Sequence, residues 1–385
     1  MTIAQTLDRA ASIEDLRLIA SRKLPRMVFD YIDGASGSEA TARRNRSAFD
    51  AFHLRQEILV DLSRRNVETT LFGERVALPM VIGPTGMNGA YWVQGDLCLA
   101  RAAKAESIPF VMSTAATVGL APLVEAAGPL RWFQLYMLRD RGLARALLER
   151  VHGAGFKVLQ LTGDTAVVGR RNRDVRNGFT LPFRWSMRKL FDTARRPRWA
   201  WQMLREGSPT LRLFAEVVGD VPTGATISEV MQHQINDAFT WHDLEWLRSA
   251  WPGQLVLKGV ASREHARMAL EAGVNGIVVS NHGGRQLDGA GSTIEALPEV
   301  VEAVAGRMTI LIDSGFRHGA DIAKAIALGA DAVQLGRPTL YGLAAGGEAG
   351  VRHALGILAT EFDCAMALAG ATTVAELRGR ASAAM

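Results

Sequence analysis

Short apolar runs alternate with longer amphipathic segments along the chain from residue 78 to residue 335. Each run ends in polar residues or glycine, a pattern that predicts a buried parallel strand. The predicted strands are residues 78–83, 108–113, 131–136, 157–162, 254–258, 276–280, 309–313 and 331–335. Between them, apolar residues recur at helical spacing. The clearest predicted helices are residues 95–106, 141–151, 263–272 and 320–328.

Eight strand–helix units in succession predict an α/β protein with a (β/α)8 TIM barrel, because parallel neighbours need a crossover helix. An open doubly wound sheet is the alternative fold, but no G-x-G-x-x-G turn follows the first predicted strand. Barrels of this kind reach 385 residues as one unit, so we predict a single domain over residues 1–385.

A helical segment is predicted before the barrel, over residues 12–33. Ser12 lies three residues before Asp15, which is the spacing of an N-terminal capping box. Pro25 marks a break within the segment. Tyr31, near its end, would ordinarily be a half-buried aromatic residue.

Every predicted strand ends in, or is followed directly by, residues that are mostly polar or glycine. In a barrel the active site is built from the C-terminal ends of the strands. Any one of these residues could be a cap or a turn, but their recurrence at all eight strand ends indicates a site. They are Pro84, Thr85, Gly86, Ser113, Gln134, Tyr136, Thr162, Asp164, Lys258, Ser280, His282, Asp313, Gly315, Arg317, Gly336 and Arg337.

Two features among these residues suit an anionic ligand. Glycine and arginine follow the seventh and eighth strands, where barrels commonly bind a phosphate group. These residues are Gly315, Arg317, Gly336 and Arg337. Lys258 ends an otherwise apolar strand, so it would need an anionic partner if buried. A lysine that reaches solvent is the alternative.

Residues 280–288, Ser-Asn-His-Gly-Gly-Arg-Gln-Leu-Asp, directly follow the sixth apolar run. His282 and Arg285 would offer a group that titrates near neutrality and a planar fork for a carboxylate, or would form a solvated turn. The stretch resembles, nearly letter for letter, the S-N-H-G-G-R-Q-L-D signature of the FMN-dependent α-hydroxy-acid dehydrogenase and oxidase family. The resemblance extends from about residue 24 to residue 350 and implies a TIM barrel with FMN as its cofactor.

The resemblance also implies a role for each matching residue. FMN would be bound by Pro84, Thr85, Gly86, Ser113, Gln134, Thr162, Lys258, Ser280, Asp313, Gly315, Arg317, Gly336 and Arg337. Substrate contacts and catalysis map to Tyr31, Tyr136, Asp164, Arg171, His282 and Arg285. In this scheme His282 is the base and Asp164 orients its imidazole. Arg285 and Arg171 bind the substrate carboxylate. Phe29 and Gly163 depart from the family pattern.

Residues 83–90 and 313–317 look most like the bacterial (S)-mandelate dehydrogenase branch of this family. That likeness implies oxidation of (S)-mandelate, or a similar aromatic (S)-2-hydroxy acid, to the 2-oxo acid, with electrons passed to a membrane quinone. An L-lactate dehydrogenase and an oxygen-using 2-hydroxy-acid oxidase share the catalytic set and stay open as alternatives. A non-redox barrel enzyme that binds a phosphosugar, and a flavin-binding protein without turnover, are more distant alternatives.

The composition is that of an ordinary globular protein, with 48% hydrophobic and 22% charged residues. No apolar run reaches roughly 18 residues, and the first residues do not have the pattern of a secretion signal. We therefore expect a cytoplasmic protein. Cys98 and Cys364 lack metal-ligand spacing, so no metal site is predicted and both are expected to be buried packing residues. A net charge of +5 favours anionic partners.

About ninety residues separate the fourth and fifth predicted strands, more than one crossover helix needs. Between Arg184 and Arg212 this insertion has eight Lys or Arg residues against Asp192 and Glu206. Apolar residues interleave with them, namely Trp185, Leu190, Phe191, Trp199, Trp201, Met203, Leu204 and Leu211. The mixture predicts that residues 177–215 contact an anionic membrane and carry none of the chemistry. A solvated lid or a subunit contact is the alternative.

The likeness to mandelate dehydrogenases implies that this insertion reaches the membrane and the quinone pool. It would place the protein peripherally on the cytoplasmic face of the inner membrane. A homo-oligomer, namely a tetramer, is expected as well. Nucleic acid is not an expected partner, because no recognition module accompanies the basic residues.

Overall fold

The computed structural model describes residues 2–180, 183–218 and 234–383. Its strands are β1 (Phe52–Leu54), β2 (Thr69–Leu71), β3 (Glu74–Val76), β4 (Met80–Ile82), β5 (Phe110–Ser113), β6 (Arg131–Leu135), β7 (Val158–Thr162), β8 (Gln254–Val260), β9 (Gly276–Val279), β10 (Thr309–Ile312), β11 (Ala332–Leu335) and β12 (Ala381–Ala383). Strands β4 to β11 are parallel and follow one another around a closed barrel, in which β11 pairs with β4. The predicted TIM barrel is confirmed, and each barrel strand ends within two residues of its prediction.

Helices surround the barrel. They are α1 (Ile3–Leu7), α2 (Ile13–Lys23), α3 (Arg26–Asp33), α4 (Ala40–Ser47), α5 (Gly95–Ala105), α6 (Leu120–Ala126), α7 (Arg141–Gly153), α8 (Asn172–Asn177), α9 (Met187–Ala194), α10 (Pro197–Glu206), α11 (Arg212–Val218), α12 (Trp241–Ala250), α13 (Arg263–Glu271), α14 (Thr293–Val304), α15 (Gly319–Ala327) and α16 (Arg337–Leu368). Helices α8 to α11 lie in the long connection between β7 and β8, so the predicted insertion holds helices of its own.

The N-terminal helical segment is divided in two, because α2 ends before Pro25 and α3 begins after it. Ser12 caps α2 as its spacing predicts. Its Oγ accepts the Asp15 N–H at 3.1 Å, and Asp15 Oδ2 accepts the Ser12 N–H at 3.0 Å. The cap satisfies two backbone donors that have no partner within the helix.

One apolar side chain from each barrel strand fills the N-terminal end of the barrel. These side chains are Val81, Val111, Trp132, Val158, Val256, Val278, Leu311 and Ala332. The hairpin of β2 and β3 packs below them. Phe72 in its turn meets the Trp132 ring edge-on, at 5.4 Å between ring centroids. This end of the barrel is therefore packed with side chains.

Two residues further along each strand, the sequence changes from apolar to polar or glycine. Because alternate residues of a strand face the same side of the sheet, these positions also face inward. They are Gly83, Ser113, Gln134, Gln160, Lys258, Ser280, Asp313 and Gln334. Gln160 and Gln334 are buried and bond each other across the barrel, at 2.6 Å from Gln334 Nε2 to Gln160 Oε1. Neither glutamine is among the residues predicted for the site.

Helix α16 is kinked at Gly346 and Gly347 and packs against α2 and α5. Cys98 is buried in α5, as expected, but Cys364 on α16 is exposed. The packing prediction is therefore wrong for Cys364. Its neighbours Phe362 and Met366 are the buried residues of this turn, and residues two positions apart on a helix face different sides.

Candidate active site

A cavity of about 220 Å³ lies at the C-terminal end of the barrel. The strand ends, α3 and the residue before α8 all contribute to its wall. The predicted site residues that line it are Tyr31, Pro84, Thr85, Gly86, Tyr136, Arg171, Lys258, His282, Arg285, Asp313, Gly315, Arg317, Gly336 and Arg337. The remaining predicted residues are not part of this lining. They are Ser113, Gln134, Thr162, Asp164 and Ser280.

A chain of hydrogen bonds joins three of these non-lining residues. Ser113 Oγ donates to Gln134 Oε1 at 3.0 Å, and Gln134 Nε2 donates to Thr162 Oγ1 at 2.9 Å. All three side chains are buried at neighbouring strand ends. The bonds fix the orientation of the Gln134 amide, because its oxygen and nitrogen each have a partner.

His282 and Asp164 form a pair beside the cavity. The distance from His282 Nδ1 to Asp164 Oδ1 is 3.1 Å, which leaves Nε2 as the ring nitrogen without this carboxylate contact. Burial raises the pKa of Asp164, but the charge and hydrogen bond of His282 outweigh it, so the pKa lies below its ordinary value. The carboxylate is thus anionic near neutrality. It can hold a proton on Nδ1 while Nε2 exchanges a proton with a ligand.

The backbone at His282 is held in an uncommon conformation. Its φ is +59°, in the left-handed region that few residues other than glycine occupy. The His282 N–H donates to Ser280 Oγ at 3.1 Å. Gly283 and Gly284 follow with positive φ as well, so the loop turns sharply directly after β9. This turn carries the imidazole into the cavity wall.

Arg171 and Arg285 both lie against the ring of Tyr31. Their guanidinium carbons are 5.4 and 4.9 Å from the ring centroid, respectively. Burial and the charge of Arg171 both lower the pKa of Arg285. The Nε of Arg171 is buried and has no hydrogen-bond partner among the described residues. Two adjacent buried cations with a spare donor can bind a carboxylate.

Tyr136 and Tyr91 are two further phenols in the wall. Burial raises the pKa of both; the charge of Asp164 raises that of Tyr136 further, and Tyr31 that of Tyr91. Both hydroxyls are therefore protonated and can donate. Tyr91 OH donates to the Gly86 carbonyl oxygen at 3.2 Å. Tyr91 was missed because it follows a short turn rather than a strand.

Lys258 is buried, with 4% of its surface exposed, so the alternative of a lysine that reaches solvent is wrong. Its Nζ forms an ion pair with Asp313 and bonds Ser280 Oγ at 2.5 Å. All three residues come from adjacent strands and face the same layer of the barrel. The pairing supplies the anionic partner that a buried ammonium group requires.

Gly315 lets two loops approach closely behind the cavity. Its φ is +92°, and a Cβ at this position would lie 2.2 Å from the Asn45 carbonyl oxygen. Gly283 lies similarly close to an arginine, since its Cβ would be 2.7 Å from Arg337 Nη1. Only glycine fits either position without displacing its neighbour.

Arg317 and Arg337 stand at the same end of the cavity. Arg337 donates to three carbonyl oxygens, those of Ile32 at 3.0 Å, Gly283 at 3.0 Å and Gly34 at 2.7 Å. Burial lowers the pKa of Arg337 to about 10, so it remains a cation near neutrality. Two arginines beside glycine-rich loops can hold a phosphate group, and the donor set therefore fits FMN. Across the described residues, no cluster of three or more His, Cys, Asp or Glu could hold a metal ion.

The insertion presents apolar side chains to solvent from α9, α10 and the residues before them. The exposed ones are Trp185, Met187, Leu190, Phe191, Trp201 and Leu204. Trp199 and Leu211 do not belong to this surface: both are buried, and Trp199 Nε1 donates to the Ala90 carbonyl oxygen at 2.8 Å. In the described ranges no helix has the length and apolar character needed to cross a membrane.

The start of the segment 177–215 contacts the cavity wall. Phe179 stacks on Tyr31, with ring centroids 4.4 Å apart, and Asn177 Nδ2 donates to Asp30 Oδ2 at 2.7 Å. The first residues of the segment therefore support the cavity wall, and the expectation that the segment carries none of the chemistry stays a prediction. Residues 181–182 of this segment lie outside the described residues.

The fold and the cavity together define the class of α/β barrel oxidoreductases that bind a flavin phosphate. The chain belongs to the FMN-dependent dehydrogenase family, whose sequence profile matches residues 20–383. It is therefore an enzyme of the FMN-dependent 2-hydroxy-acid dehydrogenase family, and its cofactor is FMN. This membership rejects the non-redox barrel alternative.

Two curated relatives carry different substrate names. The chain is 42% identical over 366 residues to (S)-mandelate dehydrogenase of Pseudomonas putida, covering 95% of this chain and 92% of the relative. It is 44% identical over 368 residues to L-lactate dehydrogenase of Caulobacter sp. (strain K31), covering 95% and 97%. These identities show the family and leave the hydroxy acid unassigned.

Solved structures agree with the fold. A crystal structure described as the monotopic membrane protein (S)-mandelate dehydrogenase superposes with a TM-score of 0.92 at 39% identity, covering 98% of this chain and all of the other. A structure of mandelate oxidase superposes with a TM-score of 0.84 at 36% identity, covering 98% and 99%. The barrel and its surrounding helices are thus shared with both.

Lys258→Met is expected to lower the free energy of unfolding by about 3 kcal/mol, because it leaves the largely buried carboxylate of Asp313 without its cation. Urea denaturation of the holoenzyme measures this change. The control is Lys157→Met, since Lys157 pairs with Glu74 at 2.6 Å but is largely exposed. The control should cost less than about 1 kcal/mol. Equal losses in both variants would contradict the buried pairing.

Proposed function

We propose that the enzyme oxidises (S)-mandelate, or a similar aromatic (S)-2-hydroxy acid, to the 2-oxo acid. The observation that carries the proposal is the combination of cationic and apolar walls in one cavity. Arg171 and Arg285 supply the charge for a carboxylate, and Ala115, Val168 and Ile235 line the same cavity with apolar surface. An aromatic acid presents those two kinds of surface to a binding site.

In the proposed mechanism, Arg171 and Arg285 bind the carboxylate, and the phenols of Tyr31 and Tyr136 donate hydrogen bonds to the substrate oxygens. His282 removes one proton at Nε2, and Asp164 stabilises the resulting cation through Nδ1. FMN, when bound, would accept the two electrons together with the second hydrogen of the substrate. The buried ammonium group of Lys258 lines the cavity, where it would stabilise negative charge on the bound flavin.

L-Lactate is the second candidate substrate, because the relative named L-lactate dehydrogenase is as similar to this chain as the mandelate enzyme. The substrate carboxylate and hydroxyl would use the same side chains. Only the contacts of the substituent on the α-carbon would differ. An oxygen-using reaction also stays open, as the likeness to a mandelate oxidase structure allows.

Anaerobic reduction of the flavin tests the proposed function directly. Mandelate added under nitrogen should bleach the flavin absorbance faster, at equal concentration, than lactate or glycolate. Faster bleaching by lactate would reject the aromatic substrate and support the second candidate. Slow recolouring after air is admitted would identify a dehydrogenase. Recolouring as fast as turnover would identify an oxidase. No bleaching by any 2-hydroxy acid would reject the function.

His282→Asn should retain bound FMN and lose about 10²- to 10⁴-fold in the rate of flavin reduction, because Nε2 is removed as a base. Stopped-flow mixing with mandelate measures the rate, and flavin absorbance measures the retained cofactor. His242→Asn is the matched control, since His242 is an exposed side chain near Glu245. A rate within tenfold of wild type in His282→Asn would remove His282 from its assigned role.

We further propose that the insertion binds an anionic membrane, where the enzyme would pass electrons to a quinone. The exposed apolar side chains of α9 and α10 support this, as do the exposed basic residues among them, which are Arg184, Arg188, Arg195, Arg198, Arg205 and Arg212. Each cation gains on the order of 1 kcal/mol near a negatively charged surface. The cytoplasmic face of the inner membrane and the homotetramer stay predictions.

The membrane proposal is tested by co-sedimentation with anionic liposomes. The triple variant Phe191→Ser, Trp201→Ser and Leu204→Ser should stay in the supernatant, while the unaltered enzyme pellets at low salt and is partly released at high salt. Flavin reduction by mandelate should be unchanged. A matched control replaces the exposed residues Ile58, Leu59 and Val60 with serine. The membrane proposal fails if the unaltered enzyme does not pellet or if both triple variants lose binding alike.

A further inference from the structure

Asp33, the last residue of α3, lies at the centre of a partly buried ion-pair cluster. Its Oδ1 accepts from Arg17 Nε at 2.5 Å and from Tyr341 OH at 2.8 Å. Its Oδ2 accepts from Arg17 Nη2 at 3.0 Å and from Arg173 Nη1 at 2.9 Å. The side chain is only 7% exposed. Since these partners belong to α2, α8 and α16, one carboxylate fixes α3 against three other helices.

The charge state of Asp33 suits this arrangement. Burial raises the pKa of its carboxyl group, but the hydrogen bonds from Arg17, Tyr341 and Arg173 outweigh burial and hold it well below the ordinary range. The group is therefore anionic throughout the neutral range and accepts four hydrogen bonds. A carboxylate has about four acceptor positions, so its capacity is filled.

The backbone on either side of Asp33 carries acceptors for two cavity arginines. Arg285 Nη1 donates to the carbonyl oxygens of Tyr31 at 2.7 Å and Gly34 at 2.9 Å. Arg337 donates to the carbonyl oxygens of Ile32 at 3.0 Å and Gly34 at 2.7 Å. Because a guanidinium group is planar with fixed donor directions, moving these carbonyls would turn both arginines.

Arg173 extends the same cluster to the third cavity arginine. Besides Asp33 it bonds Glu39, at 2.6 Å from Nη2 to Oε2. It lies two residues after Arg171, which is at the start of α8 and lines the cavity. The contact between Asp33 and Arg173 thus holds the segment that carries Arg171 against the segment that carries Tyr31.

We propose that Asp33 is a positioning residue, which holds the carbonyl groups of residues 31–34 in place and so orients Arg285 and Arg337 together. Binding of the hydroxy acid and binding of the flavin phosphate then depend on one cluster that touches neither ligand. The inference rests on the proposed function, since that proposal assigns the substrate carboxylate to Arg285.

The direction in which Asp33→Asn changes the binding of FMN and the 2-oxo acid distinguishes a positioning role from a purely electrostatic one. Asp33→Asn removes a negative charge near two anion sites, so Coulomb interaction alone would tighten the binding of both anions. Loss of orientation would weaken both. Tyr341→Phe removes one hydrogen bond to Asp33 without changing any charge, and it keeps the ring over which Arg317 lies, at 5.5 Å from the centroid.

The experiment compares holoenzymes carrying Asp33→Asn, Tyr341→Phe or the control Glu14→Gln. Glu14 is an exposed partner of the same arginine, at 2.7 Å from Arg17 Nη1. FMN release is followed by the fluorescence of free flavin at graded dilution. Binding of phenylglyoxylate, the 2-oxo acid of mandelate, is followed by the flavin absorbance, and KM and kcat are measured for mandelate.

Asp33→Asn should weaken the binding of both FMN and phenylglyoxylate by between about tenfold and a hundredfold, because a small displacement of the arginines that bind them has an effect of this size. Tyr341→Phe should weaken both in the same direction by about threefold to tenfold. In each case the rise in KM should exceed the fall in kcat, because the carboxylate clamp acts on bound substrate and transition state alike. Glu14→Gln should stay within about twofold of the unaltered enzyme.

Unchanged or tighter binding in Asp33→Asn would overturn the inference. If that variant does not fold, unchanged binding of both ligands in Tyr341→Phe would overturn it. Arg285→Lys provides the separate check on the proposed function. If Arg285→Lys leaves phenylglyoxylate binding unchanged, the carboxylate assignment fails. If it weakens binding while the Asp33 and Tyr341 variants do not, only the positioning role fails.

Discussion

Closure of eight parallel strands into a barrel is the constraint on which the rest of the structure depends. Alternate residues of each strand must face the barrel interior, and there they meet side chains from all the other strands. One inward position per strand is apolar and fills the N-terminal end, where the β2–β3 hairpin also packs. The next inward position is polar or glycine, so polar groups collect at the opposite end, and the cavity forms there.

Polar groups in that layer must be satisfied, because an unpaired polar group inside a protein costs about 1–3 kcal/mol. Gln160 pairs with Gln334, and Lys258 pairs with Asp313 and Ser280. Arg285 and Arg337 in the cavity wall follow the same rule. They donate to backbone carbonyls at the C-terminal end of α3, so their guanidinium groups are held in place by the protein itself. In a site preorganised in this way, less binding free energy is lost to the ordering of side chains when a ligand binds.

The sequence predicted the barrel and most of its strand-end residues because both depend on short-range periodicity and on topology. It could not predict features that depend on contacts between distant parts of the chain. Asp33 meets Tyr341 across more than three hundred residues. Tyr91 reaches the cavity from a turn, and Trp199 is buried although its neighbours Trp201 and Leu204 are exposed. The exposure of Cys364 likewise follows from how α16 docks, which no local pattern specifies.

The insertion joins the cavity to the exposed apolar surface through a series of aromatic rings. Tyr31 stacks on Phe179, Phe179 lies 6.1 Å from Phe183, and Phe183 lies 5.6 Å from the buried Trp199. Two residues beyond Trp199, on the same helix, Trp201 is exposed. One face of the segment therefore supports Tyr31 in the cavity wall, while the other face is exposed. Because both faces share one short stretch of chain, only substitutions confined to exposed side chains can separate surface binding from the chemistry.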